Sequence, residues 1–397
     1  MFEFFYRFNN KLTAMAIKVL TNIRFAQTAG ISQTLSCFLD YVRKNKKGII
    51  EIVGVNIIDR NKNTYNKTRK DNISIISAGV KIPDLKNVMK KCKDVNDIKK
   101  EYVEVINVYR KAINKEKPDI VLVNGTYYMP WCLFQAAREE GLPIVLHYHG
   151  ILTMETQHWP AKERSLFLAM ERSLDHKENF YIFPSKITKT TVEKKIYNHK
   201  VKNWTIIPNP VPSYFFDVNR EKNNVNNVNI GIISRWNFIK NIEFCETLSK
   251  YIRNKNSNFV VNLITDLSKK DKRYKKISKF VKIHPAVKNK ELCDFYKKMD
   301  IIISPSYFET YGNVAKEALA SGVPSLVNKN MGVSETFKKL GLNKWIVEFI
   351  SVKEVYEKIK QFIGYKIDKK IRKKIKQYYS PEKIFNQLVE ILQSQSV

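Results

Sequence analysis

Short and almost uninterrupted apolar runs alternate with longer helix-like segments along this sequence. Examples are residues 17–23, 119–123 and 301–304, in which apolar side chains follow one another instead of alternating with polar ones. Strands of that kind are buried on both faces, as in parallel sheets that carry helices on both sides. The pattern therefore predicts an α/β protein built on parallel sheets.

The alternation occurs twice, and a polar stretch separates the two occurrences. The predicted strands are residues 17–23, 49–55, 119–123, 144–146 and 180–183 in the first half, and residues 229–234, 259–264, 281–283, 301–304 and 325–327 in the second. A proline-punctuated segment (206–212) and an Asn-rich segment (217–227) lie between them. We predict two doubly wound α/β domains that meet near residue 210.

The limits of the predicted units follow from this division. They are an N-terminal extension over residues 1–14, a first domain over 15–207, a second domain over 208–379 and a final helical segment over 380–397. Pro381 stands at a helix-start position and an apolar stripe follows it, which predicts a helix there. The basic region 60–100 is predicted to lie on the surface of the first domain.

The sequence carries a large excess of positive charge. It has 70 Lys and Arg against 38 Asp and Glu, which gives a formal net charge of +32. Such a balance favours an anionic partner, such as nucleic acid, an acidic membrane or a phosphate-bearing substrate, and it does not bear on the fold. The sequence is also rich in Lys, Asn and Ile, so solvated surface lysines explain the charge equally well.

Cysteine usage and hydropathy favour a cytoplasmic protein. The five cysteines are scattered without a C-x-x-C pair, which indicates neither a disulfide framework nor a zinc site. The sequence lacks an apolar run of roughly 18 residues, the length that spans a bilayer. The apolar residues 1–10 are interrupted by Glu3 and Arg7, unlike a signal peptide. Their phenylalanines fit a membrane interface or, as we prefer, the edge of a core.

A segment rich in site-forming residues follows the strand predicted over 301–304. Ligands of open parallel sheets bind beyond the carboxyl ends of the strands, and here the sequence PSYFETYGNVAKE follows. Gly312 permits close backbone approach, and the helix that starts there offers unpaired N–H groups to a phosphate or a sugar. Glu309 and Glu317 are two carboxylates that suit a polyol ligand. Their spacing alone is more often that of one Glu favoured by the helix dipole and one solvated Glu.

Two cations follow the strand predicted over 229–234. Arg235 leaves that strand, and Lys240 precedes the next helix. Because Arg offers a planar fork and Lys a point charge, the two fit a diphosphate. Considered without context, a pair at this spacing is more often two surface cations.

In the first half, two histidines stand at the end of the strand predicted over 144–146. His147 and His149 precede Gly150, which suggests contact with a substrate. The alternatives are a structural role and a metal pair, and the metal pair is disfavoured because no Asp, Glu or Cys stands nearby at ligand spacing. Gly30 follows the first strand and allows a sharp turn, but one glycine is a weak indication of a dinucleotide site.

Together these segments resemble a known family. Residues 304–327 (SPSYFETYGNVAKEALASGVPSLV) are similar to the donor-site signature of retaining, nucleotide-sugar-dependent glycosyltransferases of the GT-B fold, in particular family four, the group 1 type. Residues 231–241 (GIISRWNFIKN) resemble the Arg…Lys diphosphate motif of that family. Residues 118–123, 143–150 and 206–210 match its strand-end pattern in order, so the likeness spans about residues 16–397.

The resemblance implies two Rossmann-like domains that face each other across a cleft, with the final helix crossing back to the first domain. It implies that Glu309 binds the donor sugar, that Glu317 binds the ribose, and that Arg235 and Lys240 neutralise the diphosphate. His149, preferred to His147, would lie over the donor sugar. The other donor-binding positions that it implies are Gly30, Ala286 (within 285–287), Gly312, Asn313 and Val314.

The sequence departs from the family pattern at three places. Pro208-Asn209-Pro210 replaces the usual Pro-Asn-Gly, which predicts a stiffer hinge. Ile264-Thr265-Asp266 stands where glycine is common, and Ala29-Gly30 replaces a pair of glycines in the first loop. The charged donor-site residues are all retained.

We therefore expect a glycosyltransferase that moves a hexose-type sugar from a nucleotide-sugar donor to a hydroxyl of a glycan acceptor, with retention implied by the resemblance alone. No Asp-x-Asp motif occurs, and cations and amides can replace a divalent metal, so we expect no metal and no cofactor. Basic stretches at 43–47, 86–100 and 189–202 predict a lipid-linked polysaccharide or glycolipid acceptor and peripheral contact with the inner face of an anionic membrane. The alternatives are a nucleotide-sugar epimerase of the same fold and a basic nucleic-acid-binding protein, disfavoured because no nucleic-acid-binding motif is evident.

Overall fold

A computed structural model describes residues 16–24, 30–218 and 227–396. The predicted extension over residues 1–14 lies outside the described residues, as does the loop before Gly30. The described chain contains two β-sheets, each flanked by helices. None of the helices in this part of the chain is long and apolar enough to cross a membrane.

The first sheet has eight strands. They are β1 (Ile17–Asn22), β2 (Ile50–Asp59), β3 (Thr64–Lys70), β4 (Ile73–Val80), β5 (Ile120–Asn124), β6 (Ile144–His147), β7 (Phe180–Phe183) and β8 (Trp204–Ile206). Their order across the sheet is β3-β4-β2-β1-β5-β6-β7-β8. The β3–β4 pair is antiparallel, whereas the other neighbours are parallel.

The prediction that residues 60–100 form only a surface region is wrong. Strand β4 pairs with β2 from Ile52–Ile73 to Asp59–Val80, and Ile76 and Val80 are buried in the core. Strand β3 is the exposed edge and carries most of the charge of the hairpin, as edge strands that resist aggregation do. The lysine-rich flanks therefore surround a buried strand, and the apolar run ISII at its start was the available signal.

The second sheet has six strands. They are β9 (Val228–Ile233), β10 (Phe259–Ile264), β11 (Lys282–His284), β12 (Ile301–Ser304), β13 (Ser325–Asn328) and β14 (Ile346–Val347). All neighbours are parallel in the order β11-β10-β9-β12-β13-β14. The strands predicted for this half are confirmed to within one residue at each end, and the two-residue β14 is additional.

Helices follow most of the strands, as the alternation predicts. In the first half they are α1 (Gly30–Asn45), α2 (Leu85–Lys91), α3 (Val95–Glu101), α4 (Val103–Glu116), α5 (Tyr128–Glu139), α6 (Leu152–Glu155), α7 (Ala161–Arg172) and α8 (Lys186–Thr191). In the second half they are α9 (Ile242–Lys255), α10 (Lys272–Ile277), α11 (Leu292–Lys298), α12 (Asn313–Ala320), α13 (Val333–Lys339), α14 (Val352–Lys360), α15 (Lys369–Tyr378) and α16 (Pro381–Gln395).

Both faces of the first sheet are covered by apolar cores. On one face Val19 and Leu122 share a cluster with Phe38 of α1 and Leu388 of α16. On the other face the strands pack against α4, α5 and α7. The helix α16 thus belongs to the core of the first domain although it follows the second domain in the chain. The doubly wound architecture is confirmed, and the domain limits given above remain predictions.

Candidate active site

An ion pair joins two strand ends of the second sheet. Lys240 follows β9, Glu309 follows the neighbouring strand β12, and the Lys240 Nζ lies 2.8 Å from the Glu309 Oε1. The Ser306 hydroxyl donates to the same carboxylate oxygen at 2.6 Å. Burial raises the pKa of Glu309, but Lys240, Ser306 and the charge of Arg235 outweigh it, so the pKa lies below its usual value. Glu309 is therefore held ionised and fixed in orientation.

Arg235 contributes the second positive charge of this group. It is exposed at the end of β9, and its charge acts on both Glu309 and Glu155. The structure thus brings together Arg235, Lys240 and Glu309, which the sequence places in two separate motifs. Two cations and one oriented carboxylate at a sheet edge are chemically suited to a diphosphate next to a polyol.

Helix α12 begins beside this group at a position that requires glycine. Gly312 has a φ of 111°, and a Cβ there would lie 2.8 Å from the Met331 Cε. The first N–H groups of a helix have no acceptor within it, so this end attracts anions. The side chain of Asn313 does not face outward, because its Oδ1 accepts from the Asn209 Nδ2 at 3.1 Å. The Val314 carbonyl accepts from the Tyr296 hydroxyl at 3.2 Å.

Glu317 lies one turn further along α12, in a separate environment. It is only 7% exposed, and it accepts from the Asn289 Nδ2 at 3.4 Å and the Tyr296 hydroxyl at 3.3 Å. Burial raises the pKa of Glu317, and the charge of the adjacent Lys316 opposes this rise. Lys316 is also buried, which lowers its pKa against the charge of Glu317. The two predicted carboxylates therefore flank the start of α12 and do not share one set of partners.

His149 approaches this site from the first domain. Its Nε2 lies 3.2 Å from the Asn124 Oδ1, and its main-chain carbonyl accepts from the hydroxyl of Thr310, the residue after Glu309, at 2.8 Å. Burial and the charge of Lys316 lower the pKa of His149 to about 4. His147 is buried with its ring centroid 4.0 Å from that of His149, and its pKa is also lowered by burial. Both imidazoles are therefore neutral near neutral pH.

The sequence reasoning missed Glu155, at the end of α6. Its Oε1 lies 2.5 Å from the point that a Cβ on Gly150 would occupy, so the carboxylate rests against the chain next to His149. Glu155 is exposed as a residue, yet desolvation of its carboxylate and the charge of Glu309 raise its pKa, while Arg235 and Lys240 act in the opposite direction. A carboxylate soon after a strand end was the only available signal.

Two further predicted positions follow other strands, β1 and β11. Gly30 is the first residue of α1, and it follows residues outside the described part of the chain. Ala286 is exposed after the edge strand β11, which β10 separates from β9. In residues 16–24, 30–218 and 227–396, no three His, Cys, Asp or Glu side chains are grouped so that they could hold a metal ion.

The loop that carries Glu309 is also bonded to the first domain. The hydroxyls of Ser185 and Thr188 both donate to the Thr310 carbonyl at 2.8 Å. The Glu335 carboxylate accepts from the main-chain N–H groups of Lys186 and Ile187, at 3.1 and 2.6 Å. These bonds hold the two domains together directly beside the ion pair.

Models of two protein families match the sequence. The model for Glycosyltransferase Family 4 matches residues 96–213, and the model for Glycosyl transferases group 1 matches residues 218–379. The chain belongs to the group 1 glycosyltransferases. A comparison with curated proteins finds no match.

Solved structures similar to this group 1 glycosyltransferase show its fold. A sucrose-phosphate synthase from Thermosynechococcus elongatus has a TM-score of 0.73 at 11% identity, over 95% of this chain and 98% of that one. A trehalose-6-phosphate protein from E. coli, bound with UDP-2-fluoro glucose, has a TM-score of 0.66 at 12% identity, over 96% and 98%. A glycosyltransferase from Rickettsia africae has a TM-score of 0.66 at 14% identity, over 96% and 98%. The predicted GT-B architecture is confirmed.

Proposed function

We propose that this group 1 glycosyltransferase moves a hexose-type sugar from a nucleoside-diphosphate sugar to a hydroxyl of a glycan acceptor, with retention and without a metal. The observation that carries the proposal is the Lys240–Glu309 pair, 2.8 Å apart, with Arg235 and the start of α12 beside it. This arrangement supplies positive charge for a diphosphate and an oriented carboxylate for the hydroxyls of a sugar.

Positive charge in the second domain would stabilise the leaving group. When the bond between the anomeric carbon and the diphosphate oxygen breaks, the electron pair stays on that oxygen. Arg235, Lys240 and the N–H groups at the start of α12 would receive this charge. Lys240 is already oriented by Glu309, so little reorganisation is needed, and electrostatic stabilisation by preorganised groups often contributes more to catalysis than any other effect.

The acceptor oxygen would bond to the anomeric carbon on the face that the diphosphate leaves. In this route the acceptor hydroxyl gives its proton to the departing phosphate oxygen, so no side chain has to serve as the base. The neutral state of His149 supports this route, because an imidazole with a pKa of about 4 is a poor proton acceptor near neutral pH. His149 would instead hydrogen-bond a hydroxyl of the donor sugar.

Glu155 would bind the acceptor. It lies on the first-domain side of the site, against Gly150, and faces the charges of Arg235 and Lys240. A carboxylate there would be repelled by the diphosphate, so its natural ligands are hydroxyl groups. We assign the Gly30, Ala286, Gly312, Asn313, Val314 and Glu317 positions to the donor side, with Glu317 on the ribose.

The acceptor would be lipid-linked, and the enzyme would act in the cytoplasm on the inner face of a membrane. The net charge of +32 supports attraction to anionic lipid. Part of the predicted basic surface is neutralised, since Lys91 pairs with Glu101 and Lys99 with Glu139. Flotation with vesicles of neutral lipid, and with vesicles containing one-third phosphatidylglycerol, tests the contact. Binding that ignores both anionic lipid and salt would contradict it.

A donor screen tests the proposed reaction. UDP-, GDP- and ADP-sugars are titrated calorimetrically in EDTA, with Lys240→Ala as the comparison. We expect one nucleotide class to bind wild type and to bind the variant at least tenfold more weakly. Release of free nucleotide only when a lipid-linked glycan is added would distinguish transfer from epimerisation. Absence of binding by every nucleotide would refute the proposal.

A further inference from the structure

A buried lysine is hydrogen-bonded to the linker between the two domains. Lys316 is on α12 and only 1% exposed, and its Nζ donates to the main-chain carbonyls of Asn209 at 2.9 Å and Pro210 at 2.6 Å. These residues belong to the segment that leaves the first sheet after β8. The helix whose start forms the proposed donor site therefore also holds the outgoing linker.

The chain passes back from the second domain to the first domain at the same place. The Val211 N–H donates to the carbonyl of Tyr379, the residue that precedes the first-domain helix α16 by two positions, at 3.1 Å. The Lys316 Nζ faces the rings of Tyr311 and Tyr379, 5.6 and 5.9 Å from their centroids. The two tyrosine hydroxyls are 2.8 Å apart. One ammonium group thus binds the outgoing chain and faces a ring of the returning chain.

The composition of the linker explains why a cation is needed. Pro208, Pro210 and Pro212 have no N–H group, so this segment offers mainly carbonyl oxygens for hydrogen bonding. A buried ammonium is costly unless it is paired or hydrogen-bonded, and here two carbonyls, two rings and the charge of the adjacent Glu317 offset that cost. The contact between Asn209 and Asn313, at 3.1 Å, adds a second bond from the same helix.

We propose that Lys316 is a positioning residue that locks the hinge to α12 and thereby sets the angle at which the first domain faces the donor site. Occupation of the start of α12 is then transmitted to the linker through one side chain on the same helix. The hinge part of this proposal stands on the contacts above, whereas its response to nucleotide rests on the proposed function.

The test compares Lys316→Met with a matched control, Arg372→Met. The Nη2 of Arg372 also donates to two main-chain carbonyls, those of Phe216 at 3.0 Å and Ala320 at 3.2 Å, at the other end of α12. Hydrogen exchange at the Val211 amide is measured without ligand in the full chain, together with the small-angle scattering radius. We expect Lys316→Met to speed this exchange about tenfold or more and to widen the particle, while Arg372→Met changes neither.

A second arm adds UDP, GDP or ADP at saturating concentration. In wild type and Arg372→Met, the nucleotide that binds is expected to slow exchange at Val211. In Lys316→Met it should still bind at saturating concentration, because Arg235 and Lys240 are intact, but leave Val211 exchange unchanged. Lys316→Gln, which keeps an uncharged NH₂ donor group, should show a smaller response in the same direction.

Unchanged Val211 protection in ligand-free Lys316→Met would overturn the proposal, and so would a wild-type response to nucleotide in that variant. Failure of both the Met and the Gln variants to fold would also overturn it, because Lys316 would then be a core residue and not a coupling device. If wild type binds none of the nucleotides, the proposed function fails, and the ligand-free arm still decides the role of Lys316 at the hinge.

Discussion

The two sides of the candidate site carry opposite kinds of polar group. The second domain presents Arg235 and Lys240, with Glu309 orienting the lysine at 2.8 Å. The first domain presents His149, which burial keeps neutral, and Glu155, whose pKa burial raises. The paired and oriented cation, Lys240, thus lies on the second domain, although Arg24 of the first domain acts together with Arg235 on Tyr127. This suggests that the anionic part of the substrate binds beside Lys240 and Arg235 and that hydroxyl-bearing parts bind opposite.

The two sides are also held in different ways. On the second domain, strand ends of one sheet place the charged groups next to each other. On the first domain, a buried carboxylate binds the start of α6, the short helix that ends at Glu155. The Glu171 oxygens accept from the main-chain N–H groups of Leu152 and Thr153, at 2.7 and 2.8 Å. The first domain thus depends on a buried titratable group, whereas the second depends on an ion pair.

Removal of either cation should give the largest effect. We expect Arg235→Ala and Lys240→Ala each to reduce transfer about 100-fold or more, about 3 kcal/mol of lost charge stabilisation in the transition state. The measurement is kcat/KM with the donor identified in the screen. Arg253→Ala, an exposed cation on α9, is the control and should retain full activity. Near-normal turnover in both site variants would contradict the proposal that the cations of the second domain stabilise the diphosphate.

The second effect concerns stability and pH on the first-domain side. Burial raises the pKa of Glu171 to about 7, so the protonated acid is favoured in the folded state. Protonated Glu171 therefore stabilises the folded protein fully below the usual carboxyl pKa, and this stabilisation is lost as the pH rises through about 7. Relative to Glu171→Gln, wild type should lose up to roughly 3 kcal/mol of unfolding free energy between pH 5 and pH 8. Urea unfolding followed by tryptophan fluorescence measures this, and a difference that stays constant with pH would contradict it.

A smaller effect is expected at Glu155. Glu155→Gln should raise the KM for the acceptor about tenfold, the cost of one charge-assisted hydrogen bond, and leave the Kd of the nucleotide within about twofold. Glu104→Gln, an exposed carboxylate on α4, serves as the control. A loss of nucleotide affinity in Glu155→Gln, with acceptor KM unchanged, would place this carboxylate on the donor side and remove the contrast between the domains.

The last prediction is that the loss of kcat caused by a substitution of His149 does not change with pH. Because the pKa of His149 is lowered to about 4, its protonation state is constant between pH 6 and pH 8. His149→Asn should therefore lower kcat by the same factor across this range. A change in the kcat of wild type near pH 6.5 that is missing from the variant would contradict this, because it would show that the imidazole titrates during turnover.

The parts of the molecule that could be predicted from the sequence are those set by local pattern. Continuous apolar runs identified the strands of the second sheet, and strand ends of one parallel sheet share an edge, so Lys240 and Glu309 could be expected together. Strand β4 was missed because charged residues on both sides hide its apolar run. Glu155 and Lys316 could not be assigned, because the charges that act on Glu155 and the carbonyls that Lys316 binds come from chain segments far apart in sequence.

The position of α16 has a consequence for synthesis of the protein. Ile384, Leu388 and Leu392 fill the same core as Val19, yet the ribosome makes them after the whole second domain. The part of this face of the first sheet that α16 covers, and that α1 does not, must therefore stay open while some 170 further residues emerge, a span set by the 208–379 segment. A nascent chain at that stage is expected to be a client for chaperones and a target for proteases.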